Sequence, residues 1–311
     1  MGKKLILLLI LYLSFHCLAR CQELLSDKEL EGQKKYKSIA EAMQEPSKVY
    51  ILDLYNAHLK EIPLNISNFI NLQQLFLGSN KLKTLPSAVF SLNKLQLLHL
   101  KENHIKEISS EIGNLTNLQN LDISSNKFQN LPHALFSITT LIKLDIGNNS
   151  LKVISPEIGN LINLKKLVLK NNEISVIPPE ISKLIHIEKL ELNNNQIKEL
   201  PPEIGNLKNL KELNLENNKL TSLIPELFNL TNLTLLNLND NQIDVLPPEI
   251  CQLKNLPKLS LARNKLTSIP PEIKKMSALK ELDLTDNPIS KADIAKLKKL
   301  IPKCKIIFSL Q

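Results

Sequence analysis

The stretch IEKLELNNNQIKELPPEIGNLKN, residues 187–209, is one unit of a repeat that fills most of the chain. Its Asn195 has a counterpart at every 23rd residue in both directions, which gives the series Asn80, Asn103, Asn126, Asn149, Asn172, Asn195, Asn218, Asn241, Asn264 and Asn287. A constant period over so many steps indicates that each unit is one structural element of a stacked array. The unit before this series keeps the pattern but has Ala57 in the asparagine position.

Leucine and isoleucine recur at fixed distances from this asparagine. They lie eight, five and three residues before it and two, five, nine and twelve residues after it, so a unit reads LxxLxLxxNxLxxLPPEIGNLxx. The leucines five and three before asparagine are two apart, which predicts a strand whose leucines face a core while the intervening residues face outward. An asparagine amide both donates and accepts hydrogen bonds. Stacked units therefore predict a structural ladder of amides bonded to backbone groups where the chain leaves each strand.

The second half of each unit predicts a turn away from the sheet. Paired prolines such as Pro201-Pro202 lack the amide hydrogens needed for strand pairing, and the glutamate that follows them favours the start of a short helical turn. The array therefore predicts an α/β fold, a horseshoe-shaped solenoid of about eleven units of 23 residues. A parallel sheet is expected on its concave face, with short helical or irregular segments on its convex face.

Both ends of such an array need caps. An N-terminal capping helix is predicted within residues 34–46, where four apolar residues stand at helical spacing, namely Tyr36, Ile39, Ala40 and Met43. A second helix is predicted over residues 293–301, with a final strand after Pro302. The predicted organisation is a signal peptide at 1–21, a flexible segment and capping helix at 22–48, the repeat array at 49–290 and a C-terminal cap at 291–311.

These units resemble leucine-rich repeats, and the resemblance covers about residues 49–290. A closer resemblance is to the exported leucine-rich repeat proteins of leptospires. It rests on the LPPEIGNL unit, on AEAMQEPSKVYILDL at residues 40–54 and on LKKLIPKCKIIF at residues 297–308. That family implies a surface or secreted binding role, including binding to host molecules. The chain departs from the pattern at Ala57, which interrupts the ladder, and at Ser109 and Ser155, which replace the first proline.

The N-terminus has the pattern of a secretory signal. MGKK is followed by the apolar run LILLLILYLSF, which is shorter than the roughly twenty residues of a spanning helix. Cleavage after Ala19 or after Cys21 would each fit, and either predicts a secreted or cell-surface protein. One alternative is a lipid anchor on the outer surface, because Leu18 to Cys21 resembles a lipobox in which Cys21 is acylated, although Arg20 departs from it. The third interpretation is that the N-terminal segment is not cleaved and is retained as an anchor.

The net charge of +8 does not predict a nucleic-acid partner. Residues 22–288 carry equal numbers of basic and acidic side chains, and the excess lies at residues 289–311, where it is expected to solvate the capping helix rather than contact an anionic membrane. Proteins that bind nucleic-acid phosphates favour arginine, and this chain has only Arg20 and Arg263. Membrane contact is expected only if Cys21 is lipidated. Cys251 and Cys304 are expected to be thiols rather than a disulfide.

Catalytic and metal-binding patterns are absent from the sequence. His58, His99, His104, His133 and His186 show no ligand spacing, and neither GxxxxGK[ST] nor GxSxG occurs. We therefore predict a protein that is not an enzyme and that has no cofactor or metal site.

Binding residues are expected at the outward positions six, four and two residues before each asparagine. Near the start of the array these positions bring together an apolar and aromatic cluster of Ile51, Tyr55, Phe76, Leu97 and His99. Further along they carry charges, chiefly Asp122, Asp145, Lys143 and Lys166. Two simpler interpretations remain open. The cluster can be ordinary solvated surface or lie beneath residues 22–35, and the charges can merely pair across strands.

The sequence thus predicts an exported recognition module of the adhesion type that binds a protein or glycan, such as a host surface or matrix protein, on its concave face. An intracellular signalling scaffold is the alternative, because LPPEIGNL units also resemble the repeats of Ras-associated proteins. A structural component of the cell envelope is a third possibility.

Overall fold

The computed structural model describes residues 24–309, and within that range one open sheet of thirteen parallel strands runs in chain order. The strands are β1 (Lys35–Tyr36), β2 (Ile51–Asp53), β3 (Gln74–Phe76), β4 (Leu97–His99), β5 (Asn120–Asp122), β6 (Lys143–Asp145), β7 (Lys166–Val168), β8 (Lys189–Glu191), β9 (Glu212–Asn214), β10 (Leu235–Asn237), β11 (Lys258–Ser260), β12 (Glu281–Asp283) and β13 (Lys305–Ile307). The predicted solenoid is confirmed. Strands β2 to β12 belong to the eleven units, and each cap adds one strand.

Short helices form the opposite wall. Within residues 24–309, α3 (Ser87–Phe90) is an α-helix of the array, and the caps contain three more, namely α1 (Asp27–Glu31), α2 (Ile39–Ala42) and α4 (Lys291–Leu300). Three-residue-per-turn helices occupy Pro46–Lys48, Leu64–Asn68, Ser110–Asn114, His133–Ser137, Pro156–Asn160, Pro179–Lys183, Pro202–Asn206, Pro225–Asn229, Pro248–Gln252 and Pro271–Lys275. The two serine departures keep this geometry, because the Ser109 and Ser155 hydroxyls accept hydrogen bonds from the Glu111 and Glu157 amides.

Leucine and isoleucine side chains fill the space between sheet and helices. The strand leucines Leu190 and Leu192 and the helix residue Ile204 are fully buried. Burying one such side chain contributes roughly 1.5 to 3 kcal/mol. Since every unit supplies the same set, the core is continuous from the first unit to the last.

Ten asparagines join consecutive units through the backbone. Asn195 shows the pattern: its Oδ1 accepts from the Ile174 amide at 3.0 Å, and its Nδ2 donates to the Leu169 carbonyl at 3.1 Å in the preceding unit and to the Leu192 carbonyl at 3.0 Å in its own. Equivalent bonds run from Asn80 to Asn287. Each amide therefore satisfies backbone groups in two units at once.

Two further ladders were not predicted from the sequence. Side chains fourteen residues after the ladder position, such as Asn163 and Asn209, donate to the Thr139 and Ile185 carbonyls of the preceding unit. The residue just before each ladder position has a left-handed backbone, with φ of 57° at Asn194. In the middle of the array these residues are asparagines, and Asn194 donates to Asn171 at 2.6 Å. The units are thus joined by hydrogen bonds on several sides.

The N-terminal cap differs from the prediction. Helix α2 covers only Ile39–Ala42, and Tyr36 lies instead on β1, which pairs with β2. A helix therefore lies within residues 34–46 as predicted, but it is shorter than the helical spacing of Tyr36, Ile39, Ala40 and Met43 indicated. Helix α2 begins after Ser38, whose hydroxyl accepts a hydrogen bond from the Glu41 amide. Ala42 is buried, whereas Ala40 is exposed. A strand before the helix continues the sheet and covers the first unit.

A row of glutamines holds the segment before this cap. Gln73 accepts from the Leu25 amide at 2.9 Å, Gln96 donates to the Leu25 carbonyl at 2.9 Å and to Gln73 at 2.8 Å, and Gln119 donates to Gln96 at 3.1 Å. These glutamines occupy one position in three successive units, just before the strand. They bond both backbone groups of Leu25, so this part of the predicted flexible segment is anchored to the sheet.

The C-terminal cap agrees with the expectation. Helix α4 begins two residues earlier than predicted, since Ser290 accepts from the Asp293 amide and so caps it. Its Ile294 and Leu297 are buried, and β13 completes the sheet after it. Cys251 and Cys304 are free thiols. No helix within residues 24–309 is both long enough and apolar enough to cross a membrane. The predicted signal peptide, with Arg20 and Cys21, lies outside the described residues.

Candidate functional site on the concave face

The outward side chains of β2 to β12 form three columns across the concave face. The first column holds the residues six before the ladder position, the second those four before it, and the third those two before it. Strand register places Leu97, Asn120, Lys143, Lys166 and Lys189 side by side in the first column. In the second column, neighbouring strands align Phe76, His99, Asp122 and Asp145. The register thus brings the predicted binding residues, apart from the buried Ile51, onto one surface.

Four of the predicted residues form an aromatic patch, defined here as Tyr55, Phe76, Leu97 and His99. The His99 ring centroid lies 6.3 Å from that of Tyr55 and 6.1 Å from that of Phe76, both in tilted arrangements. Tyr55 is 54% exposed, while Phe76, Leu97 and His99 are half-buried. Beside the patch lies a cavity of about 590 Å³ lined by Tyr55, Phe76, His99, Lys37 and Asp53. Such ring surfaces are frequent anchors at protein interfaces.

Ile51 does not belong to this surface. It occupies the first column of β2, where an outward side chain was expected, but it is only 1% exposed. Two features of the cap account for this, because β1 pairs directly beside Ile51 and the segment anchored at Leu25 continues into α1, whose Leu30 is buried. The cap therefore buries Ile51, whereas Tyr55 is 54% exposed.

Gly78 makes room for the patch in the third column. A Cβ atom at Gly78 would stand 2.6 Å from the Cε1 and Nδ1 atoms of His99 and 3.0 Å from Tyr55. The two rings therefore occupy the space of an absent side chain. Sequence reasoning missed this residue, although Gly78 and Gly147 are both glycines in a column whose other members carry side chains.

Residues of the second column differ in whether the side chain accepts a hydrogen bond from the backbone. Where that residue is aspartate or asparagine, its Oδ1 accepts the amide two residues later, as in Asp53, Asp122, Asp145, Asn214, Asn237 and Asp283. Such side chains replace a missing strand partner. Phe76 and His99 do not make this bond, and neither do Val168, Glu191 and Ser260. Among these residues only Phe76 and His99 present rings, on two adjacent strands. This contrast favours a binding role for the patch.

The charged residues fall into two groups. Lys189 contacts Glu191 at 3.0 Å and Glu212 at 2.7 Å, which is the cross-strand pairing expected of a structural role. Asp122 lies 3.4 Å from His99, and Asp145 is its register partner on the next strand. A cavity of about 270 Å³ is bounded by Leu97, His99, Asp122, Asp145, Lys143 and Lys166. It adjoins the aromatic patch through His99.

Burial raises the pKa of the Asp145 carboxyl, the Gly147 amide opposes this rise by donating a hydrogen bond, and the Asp122 carboxylate adds to it. Because the pKa is raised in the folded state, ionised Asp145 lowers stability above that pKa, and this loss disappears as pH falls toward the carboxyl's unfolded-state pKa. Asp145→Asn keeps the acceptor for Gly147, as Asn214 does in its own unit. We expect the variant to exceed the wild type in stability at pH 7 but not at pH 3.5, in urea unfolding across that range.

A double-mutant cycle checks the cause of this effect. Asp122→Asn removes the neighbouring negative charge and keeps the acceptor for Ser124. In that background the gain from Asp145→Asn at pH 7 should shrink. An undiminished gain would show that Asp122 does not contribute.

Within the described part of the chain, no group of three or more histidine, cysteine, aspartate or glutamate side chains is arranged to hold a metal ion. A larger groove of about 800 Å³ lies away from the concave face, between units, and is lined by Leu131, Phe136, Leu151 and Ile158 among others. Its walls are mainly the core positions of the repeat. The concave columns, by contrast, combine ring, apolar and charged side chains that the fold does not require.

Sequence families match most of the array. The leucine-rich repeat region family covers residues 145–223 and 203–302, and the leucine rich repeat family covers residues 70–128 and 116–159. A search of curated proteins gives no match.

Solved structures share the fold. A leucine-rich repeat protein of Leptospira interrogans is 29% identical, with a TM-score of 0.52 over 89% of this chain and 100% of that chain. The plant peptide hormone receptor RGFR1, in complex with RGF2, is 30% identical with a TM-score of 0.67 over 83% of this chain and 46% of its own. A TDR receptor is 28% identical with a TM-score of 0.77 over 90% and 51%. This chain spans about half the length of these two receptor chains. It belongs to the leucine-rich repeat family and resembles the leptospiral proteins of that family.

Proposed function

We propose that the chain is a non-enzymatic recognition module that binds a protein or peptide partner through the aromatic patch on its concave face. One observation carries the proposal: Phe76 and His99 replace backbone-bonding residues with half-buried rings on two adjacent strands. Exposed rings on a rigid sheet bind at low entropic cost, since they have few rotatable bonds and their scaffold is already ordered.

The relatives support a protein or peptide partner. The receptor RGFR1, 30% identical to this chain, was solved with RGF2 bound. Solenoids of this kind use their extended concave surfaces for binding. A glycan partner and a host surface or matrix protein are finer possibilities, which a binding survey can separate.

The patch predicts a specific loss of binding. Phe76→Ala combined with His99→Ala should weaken capture of a partner from an array of extracellular matrix proteins and glycans at least tenfold, because hot-spot rings contribute about 2 kcal/mol or more. The assay measures the concentration of full-length chain that gives half-maximal signal on each captured spot. Thermal unfolding of the variant shows whether the fold is retained.

Leu235→Ala is the matched control. Leu235 is 43% exposed in the first column of β10, six strands from Leu97, which holds the same position in β4. Capture should be unchanged in this variant. Equal binding by the patch variant and the wild type would exclude the patch as the binding surface.

Export is part of the proposal and is supported by the basic start, apolar run and small residues of positions 1–21. Mass analysis of the mature N-terminus in the native host is expected to find a chain that starts at Arg20 or Gln22. An acylated Cys21 would instead establish a lipid anchor. An intact cytoplasmic N-terminus would contradict export and favour the scaffold function.

A further inference from the structure

Two lysines beside the aromatic patch lack the pairing that their neighbours have. Lys143, Lys166 and Lys189 stand in register on β6, β7 and β8. Lys189 is paired with Glu191 and Glu212. Within residues 24–309, no carboxylate lies within ion-pair distance of the Lys143 or Lys166 ammonium. Like charges on adjacent strands repel each other. The Asp145 carboxylate attracts Lys166 at longer range and reduces this repulsion, but neither lysine has a direct ion pair within residues 24–309.

The same column supplies a chemical contrast. Lys258 also stands in the first column, and it pairs with Glu281 at 2.9 Å. The aspartates near Lys143 and Lys166 lie in the second column, where Asp122 bonds the Ser124 amide and Asp145 bonds the Gly147 amide, and neither forms a direct ion pair with the two lysines. Both lysines border the cavity of about 270 Å³ that reaches Leu97 and His99. A partner on the patch therefore meets two ammonium groups without a direct ion pair at the far side of this cavity.

Strand spacing sets the distance across the sheet between the rings of the aromatic patch and the two lysines. The rings of Phe76 and His99 lie on β3 and β4, and the lysines lie on β6 and β7, so their midpoints are three strands apart. At about 4.8 Å per strand this separation across the sheet is roughly 14 Å. The lysines lie one column away, so their side chains must also reach over an offset of about 7 Å along the strands. Four residues of an extended peptide span roughly 13 to 14 Å, and residues four apart project from the same side. A spacing of three residues would place the second side chain on the opposite side.

We propose that the partner segment is an extended peptide that crosses the strands and presents an apolar or aromatic side chain to the aromatic patch and a carboxylate, four residues away, to Lys143 and Lys166. The proposal rests on the proposed function of the patch and adds the chemistry and the spacing of the ligand. It holds for either chain direction of the peptide, because both directions give the same separation.

A displayed library of random nine-residue peptides tests the proposal on the full chain. Selection should enrich peptides with an aromatic or aliphatic residue and an aspartate or glutamate four positions apart. A selected peptide is then synthesised with a fluorophore, and its affinity is measured by fluorescence anisotropy. Changing its acid to the matching amide, or moving the acid by one position, should weaken binding about fivefold to tenfold.

Protein variants locate the contact. Lys143→Gln with Lys166→Gln should weaken the selected peptide about tenfold and abolish its preference for acid over amide, since two exposed ion pairs are lost. The matched control is Lys258→Gln, in the same column but remote from the patch, which should leave affinity unchanged. Raising the salt concentration should weaken binding to the wild type more than to the double variant.

Three results would overturn the inference. They are the absence of enriched peptides, enrichment without an acid four positions from the apolar residue, and an acid preference that survives the loss of both lysines. In each case the proposed function is judged separately. If array capture still depends on Phe76 and His99, the patch binds a partner of different chemistry.

Discussion

Asn195→Ala is expected to lower the free energy of unfolding by about 3 kcal/mol, since each buried backbone group left unpaired costs roughly 1 to 3 kcal/mol. The Asn195 side chain bonds the Ile174 amide and the carbonyls of Leu169 and Leu192, and it is only 4% exposed. Alanine leaves the Ile174 amide buried without a partner. It also removes one of the two amide donors at each carbonyl, since Leu169 and Leu192 keep their bonds from Asn172 and Asn218. Because Asn195 joins units in the middle of the array, the loss falls on an internal interface, where nearest-neighbour coupling maintains cooperativity.

Equilibrium unfolding in urea measures this change. Hydrogen exchange should show the greatest loss of protection at the Ile174 amide, which bonds the Asn195 Oδ1. The neighbouring Asn194→Gly is the control, because glycine keeps the left-handed backbone of this position without strain. Asn194 bonds the side chains of Asn171 and Asn217 nearer the surface, so its loss should cost less than about 1 kcal/mol. Equal effects of the two variants would contradict the structural role of the buried ladder.

Gly205→Ala is expected to destabilise the protein by about 2 kcal/mol or more, through overpacking. A Cβ atom at Gly205 would lie 2.4 Å from the Glu226 carbonyl oxygen and 3.1 Å from its carbon, so the backbone of the next unit would have to move. The sequence alone predicts a gain or no change in stability, for two reasons. Alanine normally replaces helical glycine with a gain of about 0.4 to 1 kcal/mol, and the equivalent position in the next unit is Phe228.

Gly113→Ala provides the comparison, because Gly113 holds the position of Gly205 in another unit. Its Cβ would approach the Ala134 carbonyl oxygen only to 3.2 Å, a tight contact that small shifts relieve. Urea unfolding of both variants should therefore show a clearly larger loss for Gly205. A gain in stability for Gly205→Ala would show that adjacent units separate more easily than the packing indicates.

The fold could be predicted from the sequence because one period governs both the core and the hydrogen bonds. Every leucine position in the unit around Asn195 contributes to the same continuous core, and the caps at α4 and β13 follow from local helical spacing and a terminal apolar run. The N-terminal cap was harder to predict, since it lies outside the repeat. Ser38 and the partner strand β2 decide its structure, and a periodicity over residues 34–46 does not reveal either.

The candidate site could be predicted only in part. Period-two alternation placed Tyr55, Phe76 and His99 on the outward face, and they lie there together. It could not show that Ile51 is covered, because the cover comes from residues distant from its own unit. Nor could it show that Asp122 and Asp145 bond their own backbone, which gives them a structural as well as an electrostatic role.

The equal spacing of the strands has an evolutionary consequence. Each ladder bond joins a unit only to its immediate neighbours, so duplication or deletion of one whole 23-residue unit preserves all bonding partners, whereas any other change in length breaks them. The concave surface therefore changes length in whole steps of about 4.8 Å. Unequal recombination between units could lengthen or shorten the distance between two binding features while leaving each feature intact.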